Sequence, residues 1–538
     1  MSTPSLYDLL PYSSKPSPER SLERLWWVGS LFGLNTALPK DAKVLDLGCS
    51  TGRNLIFLAE QYPNATFTGI DASLEQITAA NEFKDAVDLS NIRFVHSTFL
   101  QFSEQSIEYD YILCHGVFSW INEEHQKQCL DLISRLLSKK GIAYISHNSY
   151  PGWNVRSVVR SMLDLYGLVD NVNELGASER IAKARDVLEF AALRLIDAFR
   201  PYGLQLKEEC ERALLRSDSF ILHELLNPEA SAILLSDIKK TCSIYGLQYL
   251  SDAHPSRMLQ FHEEYVESTE DGKLLEKNGA EFIDLLHPAS FRGSLFCRDQ
   301  NILNADIDFS SFSNAYISSP LVCNKDAFNL EHMTQIGMVP FIGPGEEVVE
   351  AKPPAFKSLL FFLSQSWPTP VSFDELIQKL DSQGVLVEGE VYVLQKELFK
   401  LYMRNLIDLY SDSMHIDEEV GEFPYIAKTS RTFCGEKALL MDDPSFKSTK
   451  EKDWIVSLRN ELYPLDPLDY ILIPEVDGET SLEQLAKIVS EAVHSGRLHM
   501  AIDGDMQEGS EVLDDLVLEQ VQERLKKYRE QALFLNRR

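Results

Sequence analysis

The sequence contains no C-x-x-C pair: its eight cysteines, at positions 49, 114, 129, 210, 242, 297, 323 and 434, are scattered. That spacing excludes a zinc ribbon and gives no disulfide framework; it is the usage of a reduced compartment. Basic charge is also scarce. Against 82 Asp and Glu stand 51 Lys and Arg, a formal charge of −31. Sequence-independent nucleic-acid binding needs a cationic surface to displace counterions, so it is disfavoured. The same field would draw in a basic partner, the alternative being that it serves solubility alone. No apolar run approaches the roughly 20 residues that cross a bilayer. The opening MSTPSLYDLLPYSSKPSPER lacks the basic region and apolar core of a secretory leader. These absences predict a cytoplasmic protein with no membrane insertion and no nucleic-acid partner.

What is present is ordinary in bulk. The chain has 538 residues, 44% hydrophobic and 25% charged, enough for several buried cores and two to four domains. The organising stretch is residues 43–72, KVLDLGCSTGRNLIFLAEQYPNATFTGIDA. It reads as a strand (Val44, Leu45, Leu47), a turn at 48–52, a helix with Leu55, Ile56, Leu58 and Ala59 on its apolar side, and a second strand at 66–70. The second strand delivers Asp71 to the carboxyl edge of a parallel sheet, where ligands of doubly wound folds bind. A carboxylate there suits two ribose hydroxyls. A nicotinamide fingerprint would need Gly in the middle of the turn and a third Gly beyond it. Here Ser50 takes the middle position and the third Gly is missing, so a pyrophosphate ligand is disfavoured.

The form D-x-G-x-x-x-G, with Asp46, Gly48 and Gly52, resembles motif I of class I S-adenosylmethionine-dependent methyltransferases. The resemblance implies that Asp46 helps hold the methionine end of S-adenosylmethionine while the turn packs against the cofactor. Asn54, at the first helical turn, is placed for the cofactor carboxylate. Class I enzymes often carry an acid after the third strand for the adenine amino group. Here His96-Ser97-Thr98-Phe99 offers none, leaving Thr98 as acceptor and Phe99 as a flank to the ring, or both as loop and core. The fourth strand exits through His115-Gly116, followed by Phe118 and Trp120. Those two aromatics read as walls of an apolar slot or as ordinary core. The N-P-P-Y motif of amide and adenine N-methyltransferases is absent, which lowers those acceptors.

The segments DYILCHGVFSWI and GIAYISHNSYPGW resemble the bacterial methyltransferases that carry a methyltransferase regulatory domain, a group that includes the rickettsial protein-lysine methyltransferases of outer-membrane proteins. The opening YDLLPYSSKPSPERSLERLWWVGSLFGL and the later FILHELLN, YGLQYLSDA, FRGSLFC and LIPEVDGETSLEQL fit the same family. This chain has Arg20-Ser21-Leu22 where that family has Thr-His-Pro, and His147 where it has tyrosine. His223-Glu224-Leu225-Leu226-Asn227 starts like the metalloprotease H-E-x-x-H, but its second position is Asn, so no metal is expected.

The expected architecture is α/β: a seven-stranded, Rossmann-like class I methyltransferase sheet with a helical insert. A connecting module and an α+β, winged-helix-like C-terminal region follow. The expected bounds are 1–154 with 236–300 for the core, 155–235 for an insert that also offers a homodimer contact, 301–354 for the connector, 355–411 for the winged-helix-like part and 412–538 for a helical substrate-recognition region. A helix at 22–32 should lie against the sheet, behind an extended arm over 1–16. The sheet should close with a hairpin from 246–250 and 294–297. Lys396, Lys400 and Arg404 share a helix face, read as solvated or protein-contacting rather than DNA-reading.

The cofactor candidates are Asp46, Gly48, Cys49, Ser50, Gly52, Asn54, Asp71, Ala72, Thr98, Phe99, His115 and Gly116. On the acceptor side stand Tyr12, Phe118, Trp120, His147 and Tyr150. Phe118 and Trp120 would desolvate an amine, while Tyr12, His147 or Tyr150 would align its lone pair or relay its proton. The expected activity is methyl transfer to a protein, foremost to a lysine nitrogen. A small-molecule N- or O-methyltransferase and a non-catalytic scaffold are the alternatives.

Overall fold

The computed structural model describes residues 7, 10, 12, 16–102, 107–171, 174–195, 200–254, 282, 285–286, 288–304, 307–324, 328–414, 420–441, 453–459, 461–498 and 511–534. Most of the expected arm over 1–16 and part of the acidic segment 412–422 lie outside them. The chain forms two compact units, one centred on residues 34–303, the other on 16–33 with 304–447 and 452–538.

The first unit is built on β1 (Lys43–Leu47), β2 (Thr66–Asp71), β3 (Ile92–His96), β4 (Tyr109–Cys114), β5 (Leu137–Asn148), β6 (Leu247–Asp252) and β7 (Phe291–Arg298). They form one sheet in the order β3-β2-β1-β4-β5-β7-β6. The first five strands pair in parallel, and β7 runs antiparallel to both neighbours. This is the seven-stranded class I sheet, and its closing hairpin falls where Gly246–Leu250 and Ser294–Cys297 placed it. Strands β1 and β4 are apolar on both faces because helices cover both sides of a parallel sheet. Val44, Leu45 and Leu47 are accordingly buried.

Crossover helices follow the strands: Arg53–Gln61 after β1, Leu74–Ala86 after β2 and Glu123–Leu136 after β4. Each of the last two starts where a side chain can accept an orphan N–H: Ser73 from Gln76 and Asn122 from His125.

Between β5 and β6 the chain makes the insert: helices Asn154–Asp164, Ala177–Arg194 and Pro201–Leu214, a short turn Asp218–Phe220, and a π-helical turn Ile221–Leu225. It has its own core, with Val159, Leu163, Ile181, Leu188, Cys210, Ile221 and Leu225 packed together.

In the second unit, three helices (Pro354–Ser366, Phe373–Ser382, Glu390–Met403) accompany a three-stranded antiparallel sheet of β8 (Tyr316–Ser318), β9 (Val371–Ser372) and β10 (Asp408–Tyr410), with β8 in the middle. The helix Leu22–Leu31 belongs to this unit, which corrects the expectation that it lies on the first sheet. Trp27 packs edge-on against Phe312 at 5.0 Å, and Glu23 accepts the N–H of Ser411 at 2.7 Å. Its apolar side is therefore satisfied by this small sheet. The basic helix face is neutralised locally. Lys400 meets Glu397 at 3.1 Å, Arg404 meets Glu347 at 2.6 Å, and Lys396 lies over the Tyr392 ring at 4.9 Å. No described helix is long and apolar enough to cross a membrane.

Candidate active site

The carboxyl ends of β1, β2 and β4 are neighbours, so the turns leaving them meet. The turn after β1 is left-handed at Gly48 (φ 76°), Ser50 (φ 53°) and Gly52 (φ 69°). A Cβ on Gly48 would come within 2.4 Å of Val117 Cγ2, and one on Gly52 within 2.3 Å of Phe94 Cζ. Glycine is required at both by backbone and by space. The N–H groups of Gly48 and Cys49 both donate to the Ile70 carbonyl, at 2.8 and 3.0 Å, which fastens the turn to β2.

Asp71 is the pivot. Its Oδ2 accepts the N–H of Ser50 at 2.9 Å and its Oδ1 accepts that of Ser73 at 2.9 Å. Both oxygens are thereby fixed in orientation. The Asp71 carbonyl accepts the N–H of Ser97 at 2.9 Å, which brings Thr98 and Phe99 beside it. Thr98 Oγ1 accepts the Gln101 N–H in its own turn, and Phe99 packs against the main core. Ala72 is exposed, and its carbonyl accepts His96 Nε2–H at 3.0 Å.

Asp46 is buried one residue before the end of β1. Burial, then the charges of Asp71 and Asp46, push the Cys49 thiol well up, so Cys49 is a packing residue of the turn and not a nucleophile. Val117 carries the β4 exit onto the Gly48 turn. The neighbouring Gly116 N–H donates to Ser146 Oγ at 2.7 Å, and a Cβ at Gly116 would meet nothing within 4 Å. His115 Nδ1 sits 3.0 Å from the Tyr144 hydroxyl, and its ring meets Phe291 edge-on.

Two features fit a bound S-adenosylmethionine. Asn54 is 1% exposed at the first turn of its helix, and its amide oxygen and nitrogen have no partner among the described residues. Thr51 Oγ1, in the same turn, is likewise buried without one. Orphaned polar atoms at a helix amino terminus suit an anionic ligand group.

The acceptor-side candidates divide. Phe118 is 2% exposed inside the main core, packed with Leu47, Cys114 and Ile133, so it walls no open slot. His147, on β5 opposite Arg292 of β7, is 1% exposed. Its Nδ1–H donates to the Asn148 carbonyl at 3.3 Å and its Nε2 accepts from Ser294 Oγ at 3.1 Å. Burial lowers its pKa to about 4, the Asn148 carbonyl opposing and Arg292 adding to the shift. It is a sealed, neutral histidine. Trp120 lies half-buried, edge-on to Trp153 at 6.2 Å, and Tyr150 is 42% exposed where β5 exits. Tyr12 meets the turn through its backbone: its carbonyl accepts Ser50 Oγ–H at 2.6 Å, while its hydroxyl donates to Glu224 at 2.6 Å.

Glu224 and its neighbour His223 sit in the FILHELLN segment that also reads as a failed metal motif. His223 Nε2–H donates to the Leu10 carbonyl at 2.6 Å and Asn227 donates to the Trp120 carbonyl at 3.3 Å. Among the described residues no cluster of three or more His, Cys, Asp or Glu is placed to hold a metal.

Comparison with known proteins agrees with this geometry. The family described as a methyltransferase domain matches residues 38–186, the predicted methyltransferase regulatory domain matches 217–298, and the PKMT C-terminal winged helix domain matches 445–533. Sheet order and turn together define a class I S-adenosylmethionine-dependent methyltransferase. The chain belongs to the methyltransferases that carry a methyltransferase regulatory domain, and it resembles the rickettsial protein-lysine methyltransferases. A Rickettsia prowazekii (strain Madrid E) protein, RP789, is 27% identical over 516 residues, covering 94% of this chain and 89% of its own length. A second, RP028, is 34% identical over 220 residues, 41% of this chain and 86% of that protein. The fold is similar to that of PKMT2 from Rickettsia typhi, with a TM-score of 0.82 at 22% identity over 98% of this chain and 100% of that one. PKMT2 has also been solved in complex with AdoHcy.

Proposed function

We propose that this methyltransferase acts on a protein and methylates a lysine side-chain nitrogen. The observation that carries the reading is the second unit. A complete seven-stranded core is followed by separately folded modules, the last of which matches the PKMT C-terminal winged helix domain. Catalysis on a small molecule needs no such addition, whereas gripping a polypeptide does. The formal charge of −31 suits a lysine-bearing segment.

Asp46, Gly48, Ser50, Gly52, Asn54 and Asp71 hold S-adenosylmethionine in this reading, with Ala72, Thr98, Phe99, His115 and Gly116 along its edge. The bound cofactor supplies an electrophilic methyl group. The protein's part is to hold an acceptor amine in line and to keep it neutral, since only the free amine carries a lone pair. Desolvation favours the neutral form, and holding the reactants in register accounts for much of the acceleration. Trp120, backed by Trp153, and the exposed Tyr150 at the β5 exit are the acceptor-side groups supported by their exposure. This reading leaves out Phe118, which lies in the core, and His147, which is buried on β5. The insert and the modules after residue 301 serve acceptor recognition.

Calorimetric titration of S-adenosylmethionine into the wild type and Asp71→Ala tests the cofactor side. The variant loses a carboxylate that fixes two backbone N–H groups, so binding should weaken about a hundredfold. Equal affinity would remove Asp71 from the site. With labelled cofactor and a panel of lysine-rich proteins, methyl-lysine in the digest supports the acceptor assignment. Transfer to small molecules only would refute it.

A further inference from the structure

The motif that fails as a metal site has another use. His223 and Glu224 lie on the π-helical turn Ile221–Leu225, where the Leu226 N–H reaches back to the Ile221 carbonyl at 3.1 Å. Such widened turns are uncommon and concentrate at functional sites. This one is held firmly. Arg160 donates to the carbonyls of Glu224, Leu225 and Asn227 at 2.9, 2.8 and 2.5 Å, and Arg180 donates to that of Leu226 at 2.9 Å.

From this rigid turn both side chains reach the amino-terminal residues. His223 stacks on the Tyr7 ring (4.3 Å, 8° between planes), meets Tyr12 edge-on at 5.8 Å, and donates to the Leu10 carbonyl. Glu224 accepts the Tyr12 hydroxyl on one oxygen and Arg156 on the other, at 2.6 and 3.0 Å. Arg156 is itself steadied by Glu209 at 2.7 Å. The far end of this chain of contacts is the cofactor turn. The Tyr12 carbonyl fixes the hydroxyl of Ser50, a non-glycine residue held at positive φ whose N–H is committed to Asp71. Tyr7 lies close enough to Asp71 for that carboxylate, after burial, to help push its phenol up to about 12.

We propose that His223 and Glu224 are positioning residues for the cofactor: they hold Tyr12 so that its carbonyl locks Ser50, and through Ser50 they hold the Asp71 carboxylate in its binding orientation. The segment matched by the regulatory domain, 217–298, contains both residues and thereby bears on the cofactor turn through Tyr12. The inference rests on the cofactor reading above and adds to it a coupling between insert and site.

The test is a double-mutant cycle with a second readout that needs no cofactor. Calorimetry gives the S-adenosylmethionine affinity of the wild type, Tyr12→Phe, Glu224→Ala and the double variant. Losing one hydrogen bond to a charged group should weaken binding about tenfold in each single variant. The double variant should be no weaker than either, because both remove the same contact. Unchanged affinities, or single effects that multiply, would overturn the proposal. Hydrogen exchange at the Ser50 amide, which donates to Asp71, should quicken in both single variants in ligand-free protein. Unchanged exchange there would overturn the latch. Failure of the wild type to bind the cofactor would count against the methyltransferase reading, and the exchange data would still decide the contact. If Glu224→Ala unfolds, Tyr12→Phe carries both measurements.

Discussion

Acidification should expose His147 as a stability group and not a catalytic one. Its imidazole is sealed between β5 and β7, and burial brings its pKa to about 4 from the ordinary 6.5. In the unfolded chain the ring protonates as the pH falls through about 6.5; in the folded chain it stays neutral until about 4. Between those values the unfolded state binds the extra proton, so stability is full above the window and falls on going down through it. The linkage amounts to about 2 kcal/mol by pH 5 and about 3 kcal/mol by pH 4. Urea unfolding at pH 7.5, 6 and 5, in the wild type and His147→Gln, isolates this contribution. The variant is less stable throughout if the Ser294 contact is lost, but its fall with pH should be about 2 kcal/mol shallower over that range. Parallel curves would show that His147 titrates normally. It would then have access to solvent, and it would return as a candidate to relay the acceptor proton.

Two substitutions separate packing from chemistry elsewhere. Gly48→Ala places a Cβ 2.4 Å from Val117 Cγ2 on a left-handed backbone, so the turn must move. Cofactor affinity by calorimetry should drop at least tenfold, with a stability loss of about 1–3 kcal/mol, and wild-type affinity would refute the close approach. Phe118→Ala opens a cavity among Leu47, Cys114 and Ile133 and should cost about 3–5 kcal/mol in thermal or urea unfolding. A Phe118→Ala protein as stable as the wild type, yet unable to transfer methyl groups, would restore Phe118 to the acceptor site.

The sheet and its first turn were legible in the chain because they depend on short-range chemistry. The Asp46–Asp71 stretch encodes a strand, a turn of obligate left-handed residues, a helix and an acid within a few dozen positions. Each step leaves its mark in residue type. The acceptor side was read less well. Phe118 and Trp120 follow β4, His147 lies at the end of β5 and Tyr150 just beyond it, and spacing alone could not tell which would be covered. Once β7 pairs with β5, His147 lies opposite Arg292 and is closed off, whereas Tyr150, just beyond the strand, stays exposed.

The same division runs through the rest of the molecule. Local sequence determined the helices at 354–366, 373–382 and 390–403 from their periodicity. It could not show that the three-residue strand Tyr316–Ser318 would become the centre of their sheet. Nor could it show that Leu22–Leu31 would join that unit, because an apolar helix face states only that it must be buried, not against what. His223 and Glu224 illustrate the limit most directly. As a motif they fail, for want of a second histidine. Their partners, Leu10 and Tyr12, lie more than two hundred positions away in the chain, and only the folded insert brings them to the turn at Ser50. Composition and local pattern decided the class of protein, its cofactor and the backbone that holds it. Long-range packing decided which polar groups are sealed, which remain open to an acceptor, and which distant residues bear on the cofactor turn.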